Sequence, residues 1–168
     1  MKLFSSLSEQ SLSGNNLLTV IPVLSPEWII SLNFRIHSTI PNTGIVACNI
    51  VHMTDGLNHA EYGSRAPFIG IVQDTYKLHI EKGVNGGNRY VANIPSVLSI
   101  NQKYHLEVYQ RYTSNGDYQY FVKLDGTEVF SILNSDARQF YDVKVYVSNA
   151  WNPRCPVYIS NFKISNFL

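Results

Sequence analysis

The chain has 168 residues, 45% of them apolar and only 15% charged, with thirteen Lys and Arg against twelve Asp and Glu. So low a charged share, against a usual ~25%, excludes a disordered chain and a charge-laced helical bundle. A net charge of +1 leaves no electrostatic footprint for nucleic acid and none for an anionic membrane surface. One domain, 1–168, is expected from the length, with 1–14 either an N-terminal strand or a loose leader.

The first twelve residues, Met1 to Leu12, carry one Lys and then alternate apolar residues with Ser. They lack the continuous apolar core of a signal peptide, and no window is apolar enough for a transmembrane helix. From Trp28 the dominant period is two. Trp28, Ile30, Leu32, Phe34 and Ile36 alternate with polar neighbours, which predicts a half-buried strand with Trp28 in the core. Ile45 to Met53 and Pro67 to Gln73 are apolar on both phases and read as strands covered on both faces. In the next run Tyr76, Leu78 and Ile80 alternate with Lys77, His79 and Glu81. Further strands are expected over 89–94, 104–113, 117–124, 127–133, 141–148 and 156–167, the last with a bulge between Ile159 and Phe162.

Turn chemistry separates these runs. Asn115-Gly116 and Asp125-Gly126 supply the positive φ that tight hairpins require. Pro41 with Asn42-Thr43-Gly44, and the run Asn85 to Asn88, punctuate two other junctions. Ser135 to Phe140 is the one stretch expected to form a short helical turn. Ten to twelve strands with frequent turns predict an all-β, antiparallel sandwich. Cys48 and Cys155 match no metal or redox spacing; two buried free thiols is the simpler reading, and one long-range disulfide the alternative.

Four stretches resemble the concanavalin A-like jelly-roll superfamily, and within it the laminin-G-like members. Ser25 to Phe34 resembles its early Trp-led strand, and Asn101 to Val108 its aromatic lead into a central strand, with Tyr104 where Trp is commoner. Phe121 to Val129 resembles the strand, Asp-Gly turn and strand that follow. Val157 to Ile164 resembles the closing strand that pairs with the N-terminal one. The resemblance implies a jelly-roll β-sandwich and a role among lectins, carbohydrate-binding modules, extracellular adhesion domains or, less commonly, glycan-cleaving enzymes. Fold alone does not choose among these.

Hydrolysis of a glycosidic bond needs two carboxylates about 5–9 Å apart, which on one strand means acids at i and i+2. The twelve acids never take that spacing, and the superfamily's Glu-x-Asp-x-x-Glu signature is absent. Only convergence from separate strands, such as Glu81 with Glu107, would supply a pair. No catalytic residue is therefore assigned. The richest polar segment is His52 to Pro67. Asp55, Asn58 and Glu61 there are the candidate ligands for Ca²⁺, which takes six to eight oxygens, although no cofactor is required by the reading. His52 and His59 lack the third ligand that zinc would need.

The same segment suits a sugar, which asks for an aromatic platform and planar polar groups. Tyr62 and Trp151 are the candidate platforms, with core capping as the simpler role for Trp151. Asp55, Asn58, Glu61, Arg65, Asn85, Asn149 and Asn152 are the candidate hydrogen-bonding residues. The expectation is a non-enzymatic extracellular domain that binds a glycan or glycoprotein, with no nucleic-acid partner. The alternative is an adhesion or self-assembly module, a homo-oligomer included. It would use outward Tyr109 and Phe121, since Tyr109 shares a face with Glu107 and Arg111 opposite Leu106 and Val108.

Overall fold

A computed structural model describes residues 2–6, 8–56, 60–148 and 151–168. Among these, thirteen strands form two antiparallel sheets. The strands are β1 (Lys2–Ser6), β2 (Gln10–Ser11), β3 (Leu17–Leu24), β4 (Trp28–Ile36), β5 (Ala47–Thr54), β6 (Phe68–Val72) and β7 (Lys77–Val84). They continue as β8 (Gly87–Val97), β9 (Lys103–Ser114), β10 (Asp117–Leu124), β11 (Thr127–Asn134), β12 (Phe140–Val147) and β13 (Val157–Asn166). One sheet runs β1-β13-β4-β9-β10-β11, with β2 also on β13; the other runs β3-β12-β5-β6-β7-β8. The expected antiparallel jelly-roll sandwich is found, with one strand more than the upper count.

Period two does most of this work. On β4 the burial alternates without a break, and Trp28, Ile30, Leu32, Phe34 and Ile36 fill the space between the sheets. Each such side chain contributes roughly 1.5–3 kcal/mol by leaving water. Ile69, Ile71, Leu78 and Ile80 of the six-stranded sheet belong to the same cluster. Asn115, Gly116, Asp125 and Gly126 all take positive φ, as the hairpins demand. The bulge in β13 falls between Ser160 and Lys163, where Asn161 has φ +52°.

Three elements depart from the sequence reading. The run Leu17 to Leu24 is a strand despite Pro22, because β3 lies at the edge of its sheet, where a missing N–H costs no ladder bond. Ser135 to Phe140 forms no helical turn; Ser135 and Asp136 make a turn, and Phe140 already opens β12. The helical turn lies instead at Tyr62–Ser64, in the loop after β5. Cys48 and Cys155 are joined by a disulfide, with Cα atoms 4.9 Å apart, so the free-thiol reading is wrong. Bridges of this kind form and persist mainly in oxidising environments. Among the described residues no helix is long and apolar enough to cross a membrane.

One inward position breaks the apolar pattern. On β7 the inner phase reads Leu78, Ile80, Lys82, Val84, and Lys82 is 1% exposed. Its Nζ lies 6.0, 5.9 and 5.6 Å from the ring centres of Trp28, Tyr62 and Tyr120, and donates to the Gly83 carbonyl at 2.9 Å. Burial pushes this amine down to about 7, against the opposing pull of Asp136. The Tyr120 hydroxyl beside it is buried with no hydrogen-bond partner among the described residues, and burial raises its pKa.

Candidate functional site

The outward phase of the six-stranded sheet carries chemistry that its inner phase lacks. Tyr146, His52, Phe68 and Glu81 are register partners across β12, β5, β6 and β7, so they share one row of the outer face. In the next row Gly70 pairs with His79. A Cβ at position 70 would overlap the Cys48 carbonyl and press on the Phe68 ring, so glycine lets that ring lie flat along the strand.

Two loops build walls on this floor. The β5–β6 loop is tied back to β5 by Ala66 N–H to Met53 O at 2.8 Å and Met53 N–H to Pro67 O at 2.9 Å. His52 Nε2 lies 2.7 Å from the Ser64 carbonyl and must carry the proton, since a carbonyl only accepts. This anchoring delivers Arg65 to the floor. The β12–β13 loop is held by the Cys48–Cys155 bridge, by Asn49 N–H to Pro153 O at 2.8 Å, and by the Asn152 side-chain amide to Ala47 O at 3.1 Å. It places Trp151 edge-on to His52, ring centres 4.7 Å apart, and the residue is 37% exposed. Phe68 meets His52 and His79 edge-on in turn, at 5.6 and 6.2 Å.

Glu81 is the electrostatic centre. The residue is 5% exposed, and its carboxylate receives Arg65 Nε at 2.5 Å, His79 Nε2 at 2.6 Å and an Arg89 guanidinium nitrogen at 2.6 Å. Burial resists its ionisation, but the hydrogen bonds from His79 and Arg89 and the charge of Arg65 prevail and hold its pKa at about 2. The result is a groove of about 160 Å³ with an aromatic side at Trp151 and Phe68, a charged side at Arg65, Glu81 and Arg89, and an apolar lip at Ile45 and Val46. An indole next to planar, fixed hydrogen-bonding groups suits a ligand with an apolar face and a ring of hydroxyls.

No protein family model matches the chain, and no curated protein matches it. Solved structures do match in shape. A heptameric SAP-like pentraxin from Limulus polyphemus superposes with a TM-score of 0.60 at 12% identity, over 98% of this chain and 76% of its own. An alginate lyase in complex with alginate tetrasaccharide gives 0.58 at 13% identity, over 97% and 83%. Domain 4 of an extracellular arabinanase from Geobacillus stearothermophilus, in complex with arabinotriose, gives 0.58 at 15% identity, over 95% and 75%. The fold is a concanavalin A-like jelly roll.

On this jelly roll the predicted site residues separate. Arg65, Trp151 and Asn152 line the groove. Tyr62 does not: it is 8% exposed, its ring stacks on Phe140, Arg138 lies 4.0 Å over it, and its hydroxyl donates to the Asp136 carbonyl. Burial raises its pKa. Asn85 has φ +51° in the β7–β8 turn, and its side chain bonds Leu133 O and Ser135 N, which makes it a clasp between hairpins. Asp55 packs against Gly63, where a Cβ would overlap its carboxylate, and Glu61 is exposed just before the helical turn. Asn58, His59 and Asn149 lie outside the described residues. Among the described residues no three His, Cys, Asp or Glu side chains gather to hold a metal ion.

Sequence reading missed His79, Glu81 and Arg89 as site residues. The signal was present in the alternation Leu78-His79-Ile80-Glu81, where polar residues occupy the outward phase of a strand in a largely buried sheet.

Proposed function

We propose that this jelly roll is a non-enzymatic, secreted or extracellular carbohydrate-binding domain, and that its ligand lies in the groove on the outer face of the six-stranded sheet. The observation that carries the reading is the pairing of exposed Trp151 with the Arg65–Glu81–Arg89 cluster in one groove. In this arrangement Trp151 stacks on a sugar ring while the guanidinium groups and His79 address its hydroxyls. Glu81 holds both arginines in place. The disulfide supports an oxidising destination. Fold relatives whose structures hold alginate tetrasaccharide and arabinotriose support the ligand class. Glu81 is the one acid lining the groove among the described residues, and it is fully engaged by three cationic or proton-donating partners. Among the described residues, the second carboxylate that hydrolysis needs does not line the groove.

The test is a glycan array probed with the wild-type domain and with Trp151→Ala, in calcium and again with chelator. Hits that survive chelation and disappear in Trp151→Ala are expected, with the bound oligosaccharides recovered uncleaved. Hits that Trp151→Ala retains would place the ligand elsewhere.

A second reading has its own observation. On the opposite sheet Tyr109 and Phe121 stack in parallel with ring centres 4.4 Å apart, and Lys123 lies over both. A half-exposed aromatic pair of this kind suits an adhesion surface. A blank array together with concentration-dependent association lost in Phe121→Ser would favour it.

A further inference from the structure

The groove is unevenly charged. Two guanidinium groups, Arg65 and Arg89, face one carboxylate, Glu81, and no second acid lines the groove among the described residues. Arg89 is the looser partner. Its side chain is 51% exposed, and among the described residues its guanidinium makes one hydrogen bond, through a single terminal nitrogen to Glu81. The side chain lines the groove, and the planar fork of a guanidinium matches a carboxylate or sulfate. His79 adds a second unspent group. It is 6% exposed, its Nε2 is committed to Glu81, and its Nδ1 has no partner among the described residues while the ring lines the groove. A ring nitrogen on the groove wall that no protein group among the described residues engages is available to a ligand hydroxyl.

We propose that the groove selects saccharides bearing an acid group, with the acid on Arg89, a ring hydroxyl on His79 Nδ1 and the ring face on Trp151; this deepens the saccharide-binding reading and rests on it. Glu81 then acts as a positioning residue. It cancels one cation and aims both guanidinium groups, and it leaves one net positive charge for the ligand. Arg89 becomes the residue that distinguishes acidic from neutral sugars.

The experiment is isothermal titration with uronate tetrasaccharides, the same tetrasaccharides after carboxyl reduction, and O-sulfated neutral tetrasaccharides. Carboxyl reduction is expected to weaken binding about tenfold, as loss of a charge-assisted pair does. Added salt should weaken the acidic forms more than the reduced ones. Arg89→Gln should bind the acidic and reduced forms alike, and Arg89→Lys, which keeps the charge without the fork, should retain part of the preference. Binding by the uronates alone or by the sulfated set alone identifies the acid, and either supports the proposal. Equal affinity of the wild type for acidic and reduced forms would overturn it while leaving saccharide binding intact. If none of the three sets bound in a Trp151-dependent way, the saccharide reading would fall and this inference with it.

Discussion

Glu81 and Lys82 are neighbours on β7 that point to opposite faces of one sheet, and they meet opposite electrostatic fates. Glu81, on the outer face, loses water but gains Arg65, His79 and Arg89, and its carboxyl stays ionised with a pKa of about 2. Lys82, between the sheets, loses water and gains aromatic faces and one carbonyl, and its amine falls to about 7. Burial acts against the charged form in both. What separates them is the count of directed partners, which decides whether a buried group is a fixed charge or an electrostatic liability. The outer face holds its charge in place through directed partners. The inner face tolerates a charge that packing alone would not choose.

The largest way to break the comparison is to cut the tether of the outer groove. Replacing Cys48 and Cys155 together by Ala should cost about 4 kcal/mol in urea unfolding, since the bridge closes a long loop. It should also weaken any ligand bound through Trp151, because the bridge holds that loop beside β5. Glu81→Ala comes next. It leaves Arg65, largely buried, and His79 without their shared acceptor, and should cost about 3 kcal/mol. The acid dependence has a fixed sign. Because the folded pKa lies below the ordinary 4.5, the Glu81 contribution is complete above pH 4.5 and is lost as the pH falls toward 2. Glu81→Ala should flatten that part of the stability profile.

Lys82→Met should move in the other direction and stabilise the fold at neutral pH by about 1–3 kcal/mol, because an apolar chain of similar length replaces a poorly paired cation. The pH dependence again follows from the shift. Between about 7 and 10.5 the unfolded chain holds a proton on Lys82 that the folded chain lacks, so wild-type stability rises with pH in that window. Urea midpoints of wild type and Lys82→Met at two pH values in the window would show the difference shrinking as pH rises. The smallest effect is expected from Tyr120→Phe, which removes a buried hydroxyl with no partner among the described residues and should be neutral or stabilising by up to about 1 kcal/mol.

The same two residues show why legibility differed between fold and site. The sandwich was readable because alternation on β4 and β9 and the Asn-Gly and Asp-Gly turns are local properties, each set by a few adjacent residues. β3 was not read, because Pro22 is a breaker everywhere except at an edge, and edges are set by topology. Arg65 and Trp151 were legible as polar and aromatic residues in loops. His79, Glu81 and Arg89 were not, since their meaning depends on strand register and on a loop that carries Arg65 across from another hairpin. Tyr62 looked like a platform for the same reason in reverse: nothing local reveals that Arg138 and Phe140 cover it. Lys82 sat on the inner phase of an otherwise apolar alternation, and pattern alone did not mark it as buried.

The chain has two tryptophans, Trp28 in the core and Trp151 on the groove, and they report on separate regions. The most direct measurement is therefore an NMR titration of the isotopically labelled domain with an oligosaccharide from the array, following both indole N–H signals and the backbone amides. The account predicts that the Trp151 indole and the amides around His52, Arg65 and His79 move together with one dissociation constant, while Trp28 and the Tyr109–Phe121 strands stay still. Shifts centred on Tyr109 and Phe121, with Trp151 unmoved, would contradict it.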